Sequence, residues 1–312
     1  MTAVFAALLV SCNSEDAVNT STPTSELERR GCASHEILEE QLKANPGLAI
    51  KMNEIESFTE NAIKSGRLVN GKIVIPVVVN VLYKSAAENI SLAQIQSQID
   101  ILNNDFNAQN SDFNQVPTLF SGVKANVGIS FELDQVIRKS TTKTSWGTRD
   151  AMKKSKQGGL NPTSPTTKLN IWVCTIGGGI LGYAQFPGGS SATDGVVIDS
   201  RYFGNTGTAT YPFNLGRTAT HEVGHWMNLR HIWGDTTCGN DLVADTPVHN
   251  TANYGVPTYP HYSTCTGNPV EMTMNYMDYT DDRGMYMFSE GQKSRMLAIF
   301  NSGGPRNSFA QP

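Results

Sequence analysis

Three histidines within eleven residues constrain this 312-residue chain more than any other feature of its sequence. They lie in the segment HEVGHWMNLRH, where His221 and His225 are separated by three residues and His231 follows six positions later. On a helix, residues i and i+4 lie one turn apart on the same face, so the first two imidazoles can converge on one point, with Glu222 beside them. A continuing helix would carry His231 away. We therefore expect a sharp turn near Asn228, because Asn is the residue after Gly that best tolerates the left-handed conformation.

This pattern is typical of a catalytic zinc site. Imidazoles are preferred zinc ligands, and three protein ligands leave one position for water. Bound zinc lowers the pKa of that water to near 7, and Glu222 could take its proton and later hand it to a leaving amine. The alternative is a chance grouping of surface or core histidines, which would have to place three His and one Glu at these spacings.

Composition and charge exclude several classes of protein. The chain has 24 Lys and Arg against 28 Asp and Glu, for a net charge of −4. This balance argues against a nucleic-acid binder, which needs a basic patch. No apolar run in the sequence approaches the roughly 18 residues of a membrane-spanning helix. With 28 Gly, 14 Pro and only 17% charged residues, the sequence favours a turn-rich, exported domain.

The first residues predict export. Residues 3–10 are the short apolar segment AVFAALLV, which ends close to Cys12 and is followed by a polar stretch. This arrangement resembles a bacterial lipoprotein signal, in which the chain is cut before Cys12 and that cysteine is acylated as a membrane anchor. The alternative is an ordinary signal peptide, since no basic residue precedes the apolar segment. The first alternative predicts an outer-membrane or cell-surface lipoprotein, and the second predicts a secreted protein. In both cases the protein reaches a compartment that permits disulfides.

The chain divides into four segments by composition. Residues 1–12 form the signal, and residues 13–25 are rich in Ser, Thr and Asn and predict a flexible linker. Residues 26–66 are charged and helix-prone, with no strand signal. The character changes shortly afterwards, so we assign residues 67–312 to one large domain.

Strands and helices alternate in this large domain. Residues 72–83 (KIVIPVVVNVLY) are typical of a buried strand, although Pro76 favours an edge strand or a bulge. Ser91 caps a helix, and Ser289 begins the last helix. Further strands are predicted at 127–137, 169–176 and 195–199, and a further helix at 215–229. Residues 234–282 are irregular, rich in Gly, Pro, Asp, Thr and Tyr.

The zinc-helix segment resembles the metzincin metalloproteases, whose pattern is HExxHxxGxxH followed by a Met-turn. Here Asn228 replaces the Gly. The chain is most similar to the pappalysin family, in particular its small secreted members of the ulilysin type, from about residue 29 to residue 300. The similarity is carried by the zinc helix and by residues 169–175, 182–187, 194–199, 245–247 and 274–296. It implies a zinc-dependent endopeptidase of α+β fold, with a twisted mixed sheet and an active-site helix above an irregular C-terminal subdomain, preceded by a helical pro-segment at 26–66.

The same resemblance assigns roles to residues near the Met-turn. Met277 would form an apolar floor under the three imidazoles. Tyr279 would point its hydroxyl toward the metal and stabilise the oxyanion of the intermediate. Asp282 would line the pocket for the residue after the scissile bond and select Arg or Lys there, although a solvated turn is the alternative. The protein or peptide substrate would lie extended along an edge strand.

Five cysteines leave one without a partner. By the resemblance, Cys32 is the cysteine switch of the pro-segment, whose thiolate would bind zinc in the latent form and make the pro-segment an inhibitor. A cut before Arg67 would end latency and suits autoprocessing. The alternative is a disulfide between Cys32 and Cys174. Otherwise Cys174 is a buried free thiol, while Cys238 and Cys265 match one disulfide of the family.

Two further predictions concern the irregular region. The run GNDLVADTP places hard oxygen ligands close together, which suits Ca²⁺, and the family carries calcium nearby; turn chemistry is the alternative. The candidate ligands are Asn240, Asp241, Asp245 and Thr246. The remaining histidines have no zinc-ligand spacing and are predicted to lie on the surface: His35, His249 and His261.

Two rival functions follow from the same residues. A surface-anchored binding lipoprotein could use a purely structural zinc site, but such a site has no need of a base at Glu222 and normally closes its fourth position with a protein ligand. A second rival is a protease with a Glu as third ligand. His231 at the metzincin spacing argues against it.

Overall fold

The computed structural model describes residues 29–66, 68–69 and 71–310. The predicted signal at 1–12 with Cys12, the linker at 13–25 and the proposed cleavage position Arg67 lie outside the described residues. Among the helices of the described part, none is long and apolar enough to cross a membrane.

Two helices form the N-terminal part of the described chain, as the helix-prone segment predicts. Helix α1 spans Ser34–Ala44 and helix α2 spans Pro46–Lys64. Asn45 begins α2, because its side chain accepts a hydrogen bond from the backbone N–H of Gly47 and Pro46 occupies the first helical position. The buried face of α2 packs against the last helix of the chain.

A five-stranded sheet forms the centre of the fold. Its strands are β1 (Ile73–Tyr83), β2 (Ile129–Ser140), β3 (Leu169–Cys174), β4 (Gly182–Ala184) and β5 (Val196–Asp199). The spatial order is β2-β1-β3-β5-β4, and only β4, at one edge, runs antiparallel to its neighbour within this sheet. The inner strands are buried on both faces, which explains their continuous apolar sequences.

Strand β1 corrects one prediction and confirms another. It lies between β2 and β3, so the edge position that Pro76 suggested is wrong. The pairing of β1 with β2 shifts register between Val77 and Val78, directly after the proline, so the predicted bulge is present. The extra residue, Asp134, lies in β2, while Pro76 itself stays in register with Glu132.

Three helices cover and follow the sheet. Helix α3 (Leu92–Phe106) begins at Ser91, whose side chain accepts from Gln94 N, and it packs against β2 and against the helix that carries the histidines. Helix α4 (Arg217–Trp226) carries the first two histidines of the motif. Helix α5 (Glu290–Ala298) begins with a capping box formed by Ser289 and Gln292.

The chain between α4 and α5 has little regular structure and contains the predicted disulfide, Cys238–Cys265. Cys32 and Cys174 are both free and buried, so the alternative disulfide between them is wrong. The predicted surface position of His249 is also wrong, because it is fully buried. Its Nε2 accepts from the backbone N–H of Met272 at 2.9 Å, and its Nδ1 faces Asp278 at 3.5 Å. His35 and His261 are partly exposed.

Candidate active site and metal centre

The turn after α4 brings the third histidine back to the helix. Every residue of α4 is buried. The helix ends after Trp226, and Asn228 adopts a φ of 71°, the left-handed conformation predicted for this position. The reversal is fixed by hydrogen bonds from Asn228 N to His225 O (2.9 Å) and from Leu229 N to Gly224 O (3.0 Å).

The three imidazoles converge as the sequence predicts. The Nε2 atom of His225 lies 3.2 Å from that of His221 and 3.1 Å from that of His231. Together with the sulfur of Cys32, their ligand atoms all lie within 4.8 Å of one another. All four side chains are buried.

Hydrogen bonds on the far side of each ring fix its orientation. The Nδ1 atoms contact Tyr276 O (2.7 Å), Leu229 O (2.8 Å) and the carboxylate of Asp235, for His221, His225 and His231 respectively. An acceptor at Nδ1 requires the proton there and leaves the Nε2 lone pair facing the common point.

Burial keeps the rings of His221 and His225 in the neutral form that a metal requires. Desolvation and the neighbouring His231 lower the pKa of His225 to about 3, and burial also holds the pKa of His221 well below its usual value. Neutral imidazoles at van der Waals separation, with lone pairs aimed at one point, fit a tetrahedral Zn²⁺. The sulfur of Cys32 lies close enough to these nitrogens to be a fourth donor.

Met277 lies directly beneath the helix that carries the histidines. It is fully buried, and its backbone is held by Asn275 Oδ1, which accepts from Met277 N at 2.9 Å. A Cβ placed on Gly224 would lie 2.5 Å from the sulfur of Met277. Any side chain at position 224 would therefore collide with Met277, which approaches the helix backbone closely.

Glu222 and Tyr279 flank the histidines. Burial raises the pKa of Glu222 to about 7. Its Oε2 accepts hydrogen bonds from Ser34 Oγ (2.8 Å) and Cys32 Sγ (3.3 Å). The hydroxyl of Tyr279 donates to the carbonyl oxygen of Cys32 at 3.0 Å, so it already binds a peptide carbonyl beside the metal centre. With a pKa of about 7, the carboxyl group of Glu222 can exchange a proton near neutral pH.

Asp282 lies at the bottom of a buried pocket that holds Arg30. The guanidinium Nη2 lies 2.6 Å from Asp282 Oδ1, and the two side chains are 1% and 0% exposed. Arg30 also donates to Thr280 O and to Thr218 Oγ1, both at 3.1 Å. The other carboxylate oxygen of Asp282 accepts from Leu215 N at 2.7 Å. Asp282 and the oxygens of Thr280 and Thr218 thus bind the guanidinium of Arg30.

The residues between Arg30 and Ser34 run along the edge strand β4. Leu181 N donates to Gly31 O (2.8 Å) and Ala33 N donates to Gly182 O (3.3 Å), in a parallel arrangement. Ser34 Oγ accepts from Ala184 N at 2.8 Å. The edge strand at which the sequence predicts a substrate is therefore paired with the chain's own N-terminal segment.

Three contributors to this site were missed by sequence reasoning. Arg30 and Ser34 contact Asp282 and Glu222, which are remote in sequence, so no local spacing points to them. Asp235 contacts His231 and also lies 3.3 Å from His35 Nδ1. Its position four residues after the third histidine is the one signal that could have indicated it.

The predicted calcium ligands form hydrogen bonds within the chain. Asp241 accepts from Thr246 Oγ1 (3.0 and 2.9 Å), and burial raises the pKa of Asp241 to about 6. Asp245 accepts from Ser289 Oγ (2.6 Å) and Gly291 N (2.8 Å), so it binds the N-terminus of α5. Ligation of calcium by these residues stays a prediction.

Comparison with known proteins identifies the family. Residues 169–301 match the family model described as pregnancy-associated plasma protein-A. An extracellular metalloprotease of Colletotrichum graminicola is 32% identical over 285 residues, which cover 87% of this chain and 89% of the relative. This chain belongs to the pappalysin family.

Solved structures extend the match to the whole pappalysin fold. A promirolysin mutant of Tannerella forsythia is 40% identical, with a TM-score of 0.83 over 90% of this chain and 97% of that one. Mature mirolysin of the same organism, in complex with a cleaved peptide, is 42% identical, with a TM-score of 0.75 over 78% of this chain and 97% of that one. The predicted metzincin-type α+β fold and the assignment as a zinc metalloprotease are confirmed. A binding lipoprotein with a structural zinc site is not favoured.

Proposed function

We propose that this pappalysin is a latent endopeptidase that cleaves on the N-terminal side of Arg and Lys. The observation that carries the proposal is the placement of one short segment. Its Arg30 fills the Asp282 pocket while its Cys32 faces the three histidines, so a basic side chain and a zinc-binding thiol block the same cleft.

The catalytic roles follow from the groups that surround the metal centre. The three histidines would hold a zinc ion, which would supply Lewis-acid activation of a water molecule. Glu222, next to His221 on the same helix, takes the proton of the attacking water and passes it to the leaving amine. Tyr279 donates a hydrogen bond to the oxyanion, as its hydroxyl now does to the carbonyl of Cys32.

Specificity rests on the carboxylate of Asp282. A buried carboxylate that already binds one guanidinium selects a cation in the position directly after the scissile bond. Cleavage-site profiling of the active enzyme with a proteome-derived peptide library tests this, and we expect Arg and Lys at that position. Asp282→Asn, which keeps the shape of the side chain, should lose the preference. Hydrophobic residues after the bond in the wild-type profile would overturn the specificity.

Latency rests on residues 30–34. They pair with the edge strand, and Cys32 and Ser34 both donate hydrogen bonds to the carboxylate of Glu222. The match to promirolysin covers 90% of this chain, whereas the match to mature mirolysin covers 78%. This difference supports a removable N-terminal segment. Cys32→Ala should speed activation of the precursor, and an unchanged rate would refute the switch. We place the activating cut before Arg67, which suits self-processing.

Export and calcium complete the proposal. Relatives named extracellular metalloproteases support export, and acylation at Cys12 would add a membrane anchor. Calcium would bind at the turn of Asp241 and Thr246, where the carboxylate of Asp241 is buried and accepts a hydrogen bond from Thr246 Oγ1. Addition of Ca²⁺ should raise the thermal unfolding temperature of the wild type but not that of Asp241→Asn; equal responses would exclude this site.

A further inference from the structure

An exposed aromatic ring beside the Asp282 pocket takes no part in the steps proposed above. Tyr254 keeps 43% of its surface exposed. Its ring centroid nevertheless lies 6.0 Å from that of Tyr279. The ring therefore forms part of the wall of the cleft, next to the residue that binds the reacting carbonyl.

The backbone on both sides of this ring is fixed. Asn253 donates from its backbone N–H to Asp278 Oδ1 (2.8 Å), and from its side-chain amide to Asp278 Oδ2 (3.0 Å) and Glu271 Oε2 (2.7 Å). The carbonyl of Gly255 accepts from Asp281 N at 2.8 Å. The turn that carries Tyr279 thus holds Tyr254 in place. A preformed, exposed aromatic surface at a cleft is suited to binding a ligand.

The N-terminal segment already uses this surface. The guanidinium of Arg29 lies over the Tyr254 ring, 5.1 Å from its centroid. The next residue, Arg30, fills the Asp282 pocket, and Cys32 lies at the histidines. Arg29 is therefore one residue further from the reactive centre than Arg30, on the same side of it. Along this segment the distance from the histidines increases toward the N-terminus, whereas in a substrate cleaved before Arg it increases toward the C-terminus, so the equivalent substrate positions follow that Arg.

We propose that Tyr254 forms a second subsite for a basic side chain, one or two positions beyond the Arg or Lys held by Asp282. The inference rests on the proposed cleavage before Arg and Lys. The face of an aromatic ring attracts a cation, and Arg more than Lys because its planar guanidinium also stacks. The neighbouring carboxylates of Asp281 and Asp282 add negative potential, which disfavours an acidic residue at the same place.

The test measures kcat/KM on fluorogenic peptides with the mature enzyme that the full chain produces. Arg is fixed directly after the scissile bond, and Arg, Ala or Glu is placed at each of the next two positions. We expect wild type to prefer Arg over Ala by roughly two- to five-fold at one of these positions, with Glu slowest. Tyr254→Ala should bring the ratio to about one, and Tyr254→Phe, which keeps the ring face, should retain it.

A matched control is available on the same irregular region. Tyr262 is 59% exposed, and Tyr262→Ala should leave the ratio unchanged. A wild-type ratio of one at both positions, or a preference that persists in Tyr254→Ala, would overturn the subsite. The cleavage point separates the two proposals: equal rates with cleavage before the fixed Arg refute only the subsite, whereas cleavage elsewhere refutes the specificity on which it rests.

Discussion

Replacing Arg30 by Ala should open the cleft of the precursor. The guanidinium makes three contacts in a buried site, at 2.6 Å to Asp282 and at 3.1 Å to Thr280 and Thr218. Breaking a buried ion pair costs about 3–5 kcal/mol when the partner is left buried. Asp282 keeps its backbone donor Leu215 and becomes accessible to water, so we take the lower value, about 3 kcal/mol.

This free energy converts into a rate of activation. A free-energy difference of about 1.4 kcal/mol changes an equilibrium constant ten-fold. If the closed cleft is stabilised by about 3 kcal/mol less, the population of the open cleft rises roughly 100-fold. If opening precedes cleavage as a rapid equilibrium, the precursor should activate faster by the same factor. Arg30→Lys keeps the charge but loses the planar set of N–H donors of the guanidinium. Its activation rate should lie between those of the wild type and Arg30→Ala.

Two assays measure the effect. The release of the N-terminal fragment over time gives the activation rate. In an inactive Glu222→Ala background, the reaction of Cys32 with a thiol reagent reports opening directly, and Arg30→Ala should accelerate it about 100-fold. The exposed neighbour Arg29 is the control, since Arg29→Ala should change both rates by less than about 5-fold. A folded Arg30→Ala precursor with wild-type rates in both assays would refute the reasoning.

Substitutions at three further positions test the packing around the site. Gly224→Ala should destabilise the fold by about 1–2 kcal/mol in thermal unfolding, because the new methyl overlaps Met277; full wild-type stability would show that the methionine moves freely. The free energy of unfolding of Asn228→Gly should be within about 0.5 kcal/mol of the wild-type value, because Gly also adopts the left-handed conformation. That of Asn228→Val should be lower by about 2 kcal/mol or more, and this variant should bind zinc more weakly. Equal zinc affinities would contradict the role of the left-handed turn. Glu56→Gln weakens the two-point contact of α2 with Arg295 on α5 (2.7 and 2.8 Å), so activation should be about 10-fold faster; no change would place the barrier entirely within residues 30–34.

The sequence predicted those parts of the site that depend on local spacing. Two histidines at i and i+4 on a helix must share a face, and an Asn after them is a residue that can turn the chain back, so the convergence of His221, His225 and His231 could be foreseen. The inner strands were also clear, since parallel strands covered on both faces are continuous apolar runs.

Contacts between remote parts of the chain could not be predicted in the same way. Arg30 and Asp282 are 252 residues apart, and no pattern in either segment indicates the pairing. His249 was placed on the surface because it has no ligand spacing, but it is buried beside Asp278 and Glu271, which supply polar partners that only the fold brings together. Pro76 suggested an edge strand or a bulge; β1 is an inner strand, and its pairing with the edge strand β2 shifts register one residue after the proline.

The most direct test of the account is the sequence of the new termini that the purified precursor produces. Wild-type protein, Glu222→Ala protein and wild-type protein with a zinc chelator are incubated in parallel with a denatured protein substrate. We expect termini that begin with Arg or Lys from the wild type alone, and restored cleavage when zinc is added back. Cleavage by Glu222→Ala, or termini that begin with hydrophobic residues, would contradict a zinc endopeptidase whose base is Glu222 and whose specificity comes from Asp282.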